Sequence, residues 1–244
     1  MIYYNHGEHT FHEYIQYKRS GYKSISGNSF LKTLFDKGNY GEFLTFSYLE
    51  RLPEYKRLLT NIYVPKEDGT TTEIDLVMIE ETGVYVFESK NYSGWIFGDE
   101  KSKYWTQTLQ NKQKNHFFNP IWQNKAHIKV LKNIFDVDES VFKSYIVFSE
   151  RCKLKKINVT SPTVKVINRQ DLTRTIKKDI SNSPKLLTKN KIDEIYSALE
   201  RFALAGEDIK RKHIESIKNI KITVCHLLSP FYFFISLFLF WKIL

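Results

Sequence analysis

Three ionisable residues, Asp75, Glu88 and Lys90, are spaced so that a simple fold would bring them together. Residues 73–79 and 84–90 are rich in Ile, Val, Leu, Tyr and Phe, and the turn-like run Glu80-Glu81-Thr82-Gly83 separates them, which reads as a β-hairpin. Setting Ile79 opposite Val84 puts Asp75 across from Glu88 and Glu73 across from Lys90. Directly opposed residues share a face, with Cβ atoms roughly 4.5–5.5 Å apart. Two carboxylates at that separation repel unless a cation, a proton or a lysine stands between them. Lys90 lies two residues beyond Glu88 and therefore on the same face. An Asp, a Glu and a Lys converging at one end of an apolar hairpin can build a divalent-metal site for phosphodiester chemistry.

The hairpin needs support from both sides. Val77, Ile79, Val84 and Val86 share the face of the charges, while Ile74, Leu76, Met78, Tyr85 and Phe87 occupy the other. Two apolar faces imply a central element covered on both sides. Carboxylates at the end of such an element are partly desolvated, which raises the cost of leaving them unpaired.

Helical spacing of Phe30, Leu31, Leu34 and Phe35 precedes a break at Lys37-Gly38-Asn39. A second helix is expected from about Asn39 to Leu52, with Glu42 in its first turn, before Pro53. There Glu42 favours the positive helix N-terminus in any case. A strand is expected over 57–64. Residues 91–105 read as a loop with a short hairpin. Lys101, Lys103, Lys112, Lys114, Tyr104, Trp105, His116, Phe117 and Phe118 make a basic, aromatic stretch. Such a stretch suits phosphates and stacked bases, or a solvated surface with a few rings on the core. Asn119-Pro120 opens a helix over 121–135, on which Gln123 and His127 are neighbours. They would bond each other in the core or face the hairpin's charges. A strand at 141–149, a basic loop at 151–156, a strand at 163–167 and helices at 169–180 and 188–205 complete this part.

The totals set bounds. The chain has 244 residues and a formal charge of +10, from 37 basic and 27 acidic residues. That length fits one domain with an appendage and a sizeable core. With only 10 Gly and 6 Pro, a low-complexity chain is excluded. The two cysteines, Cys152 and Cys225, cannot make a disulfide framework or a four-cysteine zinc site, and point to a reducing compartment. The basic excess suits a polyanion or an anionic membrane surface. No secretory signal is visible at the N-terminus. His9, His12 and Glu13 could meet on one helical face and hold a metal, but a polar N-terminal arm or lead-in helix is the favoured reading, since terminal segments are seldom well ordered. Residues 222–241 contain no Lys, Arg, Asp or Glu. As a helix they would span about 30 Å, the thickness of a bilayer core. Lys210, Arg211, Lys212, Lys218 and Lys221 precede them and Lys242 follows. The positive-inside rule then places the preceding part in the cytoplasm, with the chain crossing the cell membrane once. A buried C-terminal helix or a partner-binding segment is the alternative.

Gly41-Glu42-Phe43, Glu73-Ile74-Asp75-Leu76-Val77, Phe87-Glu88-Ser89-Lys90-Asn91-Tyr92-Ser93-Gly94 and Asn119-Pro120-Ile121-Trp122-Gln123 occur in the order seen in the nuclease-related domain (NERD) family. That family is similar to the PD-(D/E)XK restriction-endonuclease-like nucleases. The resemblance covers about residues 36–150, and the run Asn119, Gln123, His127 adds to its specificity. It implies an α/β (α+β) fold with a restriction-endonuclease-like core: a mixed central sheet of about four strands flanked by helices. To this the sequence adds the C-terminal hydrophobic helix. The resemblance also implies roles. Asp75 and Glu88 would hold Mg²⁺ or Mn²⁺, Glu42 would add a contact to the metal or its shell, Lys90 would position water or stabilise phosphate charge, and Gln123 would line the site.

The expected organisation is an N-terminal arm over 1–35, the nuclease-like core over 36–150, a strand-and-helix extension over 151–221 and a transmembrane helix over 222–241. The expected function is a metal-dependent nuclease acting on DNA rather than RNA, anchored at the cytoplasmic face of a membrane. The alternative is a module of the same fold that binds nucleic acid or scaffolds without cleaving.

Overall fold

The computed structural model describes residues 5–135, 137–206 and 208–216, with side chains from Phe11 onward. The expected membrane helix at 222–241 lies outside the described residues. Among the described residues no helix is long and apolar enough to cross a membrane.

Helices α1 (Asn5–Arg19), α2 (Tyr22–Ser26), α3 (Phe30–Phe35) and α4 (Lys37–Glu50) lead into strands β1 (Lys56–Pro65), β2 (Thr71–Glu80) and β3 (Gly83–Lys90). Then come β4 (Gly94–Asp99), β5 (Tyr104–Thr108), β6 (Lys114–Phe118), α5 (Pro120–Lys132), β7 (Phe142–Phe148), β8 (Cys152–Asn158), β9 (Val164–Asn168), α6 (Leu172–Asn182) and α7 (Lys189–Glu200). They form two sheets, one of five strands in the order β1-β2-β3-β7-β9 and one of four in the order β6-β5-β4-β8. The first is mixed: β1, β2 and β3 are antiparallel neighbours, and β3, β7 and β9 run parallel.

The central hairpin forms in the expected register, with Ile79 opposite Val84 and Val77 opposite Val86. Both faces are covered. Val77, Ile79, Val84 and Val86 pack with Leu131, Ile192, Ile195 and Leu199 of α5 and α7. Leu76, Met78, Tyr85 and Phe87 pack with Phe43, Phe46 and Leu49 of α4 and with Leu172 and Ile176 of α6. Ile74 departs from the expected alternation and joins the first cluster. Its partner Ile62 in β1 does the same. Between them and the regular part of the ribbon stands Asn61, with φ of 53°. This left-handed residue breaks the period of two in β1.

The second sheet is a correction to the sequence reading. Residues 94–118, expected to be a loop, a short hairpin and a basic stretch, form β4, β5 and β6. The expected basic loop at 151–156 is strand β8, parallel to β4. Its lysine-rich pattern hides a half-exposed strand with Cys152 and Leu154 turned inward. The five-stranded sheet also exceeds the four strands implied by the family resemblance, because β9 adds an edge beyond it.

Two asparagines lock α5 against both sheets. Asn119 is fully buried. Its Oδ1 caps the helix by accepting from Ile121 N–H at 2.9 Å, and its Nδ2 donates to the carbonyls of Asp99, Glu100 and Ser102. Asn124 Nδ2 donates to Val86 O and Ser144 Oγ, each at 2.8 Å, tying the helix to β3 and β7. The side chains one position before and three after Asn124 are thereby aimed at the end of β3.

Candidate active site

The recorded pairs of β2 and β3 stop at Leu76–Phe87. Beyond them Asp75 Oδ2 accepts the N–H of Ser89 at 2.8 Å, a side chain taking the place of a ladder carbonyl. Asp75 and the Glu88-Ser89-Lys90 end of β3 therefore meet. Glu73 does not face Lys90 as the extended register implied. It pairs with Tyr63 of β1 and accepts from Tyr63 Oη at 2.5 Å, with His213 Nε2 3.8 Å from its other oxygen.

Glu88 is 1% exposed, and each of its oxygens has a cationic or N–H partner. Lys90 Nζ lies 2.5 Å from Oε1, and His127 Nε2 lies 3.3 Å from Oε2. Burial pushes the Glu88 carboxyl up, but Lys90 and His127 outweigh it and leave the group below the usual carboxylate range. An ionised carboxylate only accepts, so His127 presents Nε2–H to Glu88. Its Nδ1 stands 2.9 Å from Thr72 Oγ1 on β2.

Lys90 also donates to Gln123 Oε1 at 3.2 Å. Burial works against its charge, yet Glu88 and then Asp75 hold the ammonium above its ordinary pKa. Thus α5 supplies both partners across the site, Gln123 to Lys90 and His127 to Glu88. The two sequence alternatives for this pair resolve toward the hairpin's charges.

The other two carboxylates are poorly balanced. Burial, then the charge of Glu88, raises Asp75 well above the normal range, and Lys90 and the Ser89 N–H offset only part of this. Burial, then Asp75 and Glu73, raises Glu42 likewise, with Asn61 opposing. Glu42 Oε2 is buried without a hydrogen-bond partner. Buried polar atoms are rarely left so. One corner thus holds an ionised Glu88, an ammonium, and two carboxyls that a proton or a cation would stabilise.

The fit to a divalent metal is mixed. Oxygen donors suit Mg²⁺ or Mn²⁺, and the orphaned Glu42 oxygen is the kind of atom a cation would satisfy. Yet among the described residues no group of three or more His, Cys, Asp or Glu is disposed to hold a metal ion. Glu88 already spends both oxygens on Lys90 and His127. Each of those oxygens keeps a second lone pair, so what Glu42, Asp75 and Glu88 would need in order to close on an ion is a shift toward one another. The expected His9–His12–Glu13 grouping is only partly within the described residues. The side chain of His9 lies outside the described residues, and Glu13 accepts from the hydroxyl of Tyr40.

Sequence reasoning missed Arg169. It is fully buried directly after β9, donating from Nε to Thr45 Oγ1 at 3.2 Å and from Nη1 to Glu150 Oε2 at 3.0 Å. Thr45 lies on α4 one turn from Gly41, and its hydroxyl is 3.1 Å from Ser89 Oγ. Arg169 Nη2 has no partner. No local sequence signal marks it; its place follows from β3, β7 and β9 being parallel and in register at Lys90, Phe148 and Asn168. The residues just past parallel strands gather at one edge, where α/β sheets hold their sites.

The nuclease-related domain model matches residues 37–149, the span from the start of α4 past the end of β7. An uncharacterized protein of Bacillus anthracis is 38% identical over 184 residues, covering 75% of this chain and 84% of that protein. No solved structure matches the chain.

Proposed function

Because the chain belongs to the nuclease-related domain family, we propose that it is a metal-dependent phosphodiester hydrolase acting on DNA. The observation that carries the reading is the corner where Glu42, Asp75, Glu88 and Lys90 meet, with the Glu42 and Asp75 carboxyls raised by burial and by neighbouring carboxylates and Glu42 Oε2 buried without a hydrogen-bond partner. Asp75, Glu88 and Glu42 would hold Mg²⁺ or Mn²⁺, which supplies Lewis-acid polarisation of phosphate oxygens and a lowered pKa for water.

The chain's own groups have defined tasks. Lys90, kept cationic by Glu88, donates to a non-bridging phosphate oxygen and offsets the charge that grows there. Gln123 holds the ammonium in line from α5. His127, fixed by Thr72, orients Glu88. The Ser89 N–H fixes one oxygen of Asp75 at the end of β3.

A tether to the cytoplasmic face of the cell membrane is the second part of the proposal. It rests on the uncharged run 222–241 and the basic residues before it. Fractionation of cells producing the chain with and without residues 222–244 tests it, and full-length protein in the soluble fraction refutes it.

A non-cleaving, nucleic-acid-binding or scaffolding module is the second reading, favoured by one observation: both oxygens of Glu88 are already engaged, by Lys90 and His127. Incubating the detergent-solubilised full-length chain with supercoiled DNA, linear DNA and RNA in Mg²⁺ and Mn²⁺ separates the two. Cleavage that Asp75→Asn and Lys90→Met lower by about 10²-fold or more supports the enzyme. No cleavage, with salt-sensitive binding and no Mn²⁺ uptake, supports the module.

A further inference from the structure

Beyond anchoring α5 through Asn119, the second sheet supplies no side chain to the corner described above, and its outer face carries exposed rings among lysines. Ile96 and Trp105 turn inward and are buried. Gly98 shares that side, for a Cβ there would stand 2.1 Å from the Trp105 ring. The alternate residues stand on the opposite face. Trp95 lies beside Thr108 and Lys153, Phe97 beside Thr106 and Lys156, and Tyr104 opposite Phe118. Trp95, Tyr104 and Phe118 are 49%, 56% and 43% exposed. Lys155, the extra residue at the register shift, sets its ammonium 5.0 Å from the centre of the Trp95 ring. Lys114, Lys153 and Lys156 are exposed on the same side. The carboxylate at its far end, Asp99, is occupied by Asn158 Nδ2 at 2.7 Å and Lys101 N–H at 2.8 Å.

We infer that this face is a docking platform for an extended single strand of nucleic acid. Exposed rings stack bases without regard to sequence, and flanking lysines track the phosphates. A membrane surface would want apolar side chains along one edge, not rings interleaved with lysines over a sheet. Duplex would offer its phosphates but not its base faces. Along β5, Tyr104 lies four residues from the position paired with Trp95, about 13 Å at about 3.3 Å per residue. At about 3.4 Å per stacked nucleotide, roughly four stacking steps separate those rings. Trp95 lies only five positions after Lys90, a reach of at most about 18 Å. A strand lying on the platform is thus within about 18 Å of the carboxylate corner at its Trp95 end. The inference rests on the phosphodiesterase reading for its purpose and specifies that substrate: single strands, or duplex ends that have opened.

Binding is measured apart from cleavage, using the full-length Asp75→Asn protein in detergent with EDTA. Fluorescence anisotropy is read with labelled 20-mer oligodeoxythymidylate, oligouridylate and a 20-base-pair duplex. The single strands bind more tightly than the duplex, and comparison of the two distinguishes DNA from RNA. Trp95→Ala weakens single-strand binding about fivefold or more, while Trp95→Tyr restores most of it. Lys153→Gln with Lys155→Gln lowers the salt slope by about 1.4, at about 0.7 per phosphate contact on a single strand. Without any substitution, bound oligonucleotide protects Lys153 and Lys155 from acetylation. Unchanged affinity in Trp95→Ala with no lysine protection overturns the inference. So does preference for duplex, or retention on phosphatidylglycerol vesicles without oligonucleotide binding. Platform binding without wild-type cleavage refutes only the catalytic reading. Cleavage with an unchanged KM for single strands in Trp95→Ala refutes only the platform.

Discussion

Replacing Glu88 with glutamine tests the electrostatic account of the corner. The side chains of Glu88 and Lys90 are 1% and 17% exposed, and their charged atoms are 2.5 Å apart. Removing one member of a buried pair costs about 3–5 kcal/mol, since the other charge is left uncompensated. Lys90 keeps some exposure and its contact with Gln123, so Glu88→Gln should fall at the lower end, about 3 kcal/mol. For a chain of this size that is a fall in Tm of about 6–12 °C. Replacing both members with neutral side chains, Glu88→Gln with Lys90→Met, removes the stranded charge and should recover all but about 1 kcal/mol. The assay is urea unfolding of the full-length chain at pH 7, followed by circular dichroism. Because the Glu88 carboxyl sits below its ordinary pKa in the fold, its contribution is complete above the unfolded value of about 4.3. It is lost as pH falls through the folded value, so wild type and single variant should converge in acid. A loss under about 1 kcal/mol, or a double variant no better than the single one, would refute the reasoning.

Asp75 and Glu42 carry the opposite sign. Their raised carboxyls keep protons in the fold that the unfolded chain has released. Metal-free stability should therefore decline as pH rises from about 4 toward the raised values, and Mn²⁺ at pH 8 should restore it; melts that are flat in both variables count against the site. Arg169 and Glu150 should behave asymmetrically, as their side chains are 0% and 35% exposed. Glu150→Gln strands a buried guanidinium and should cost about 3 kcal/mol, whereas Arg169→Met lets Glu150 hydrate and should cost less than half of that by urea titration. Gly98→Ala drives a methyl group into the Trp105 ring; a loss of about 1–3 kcal/mol and a changed tryptophan emission are expected.

The sequence by itself determined the hairpin, its register and the meeting of Asp75, Glu88 and Lys90. Those follow from local rules: alternation fixes faces, a short turn fixes pairing, and a residue two positions on returns to the same side. It also determined the order of α4, β1, β2, β3, α5 and β7, because each has its own periodicity and end signals. The second sheet was less legible, since strands 114–118 and 152–158 are short, their two or three apolar residues sit among lysines and polar residues, and the extra Lys155 breaks the alternation of the second. Only the tertiary structure decided that Glu73 turns to Tyr63, for the left-handed Asn61 interrupts the alternation that a linear reading must assume. Only it placed Arg169 beside Thr45, 124 positions apart in the chain. Parallel pairing of β3, β7 and β9 sets which distant residues share an edge. Such pairing joins strands through long connections, so no local spacing records it.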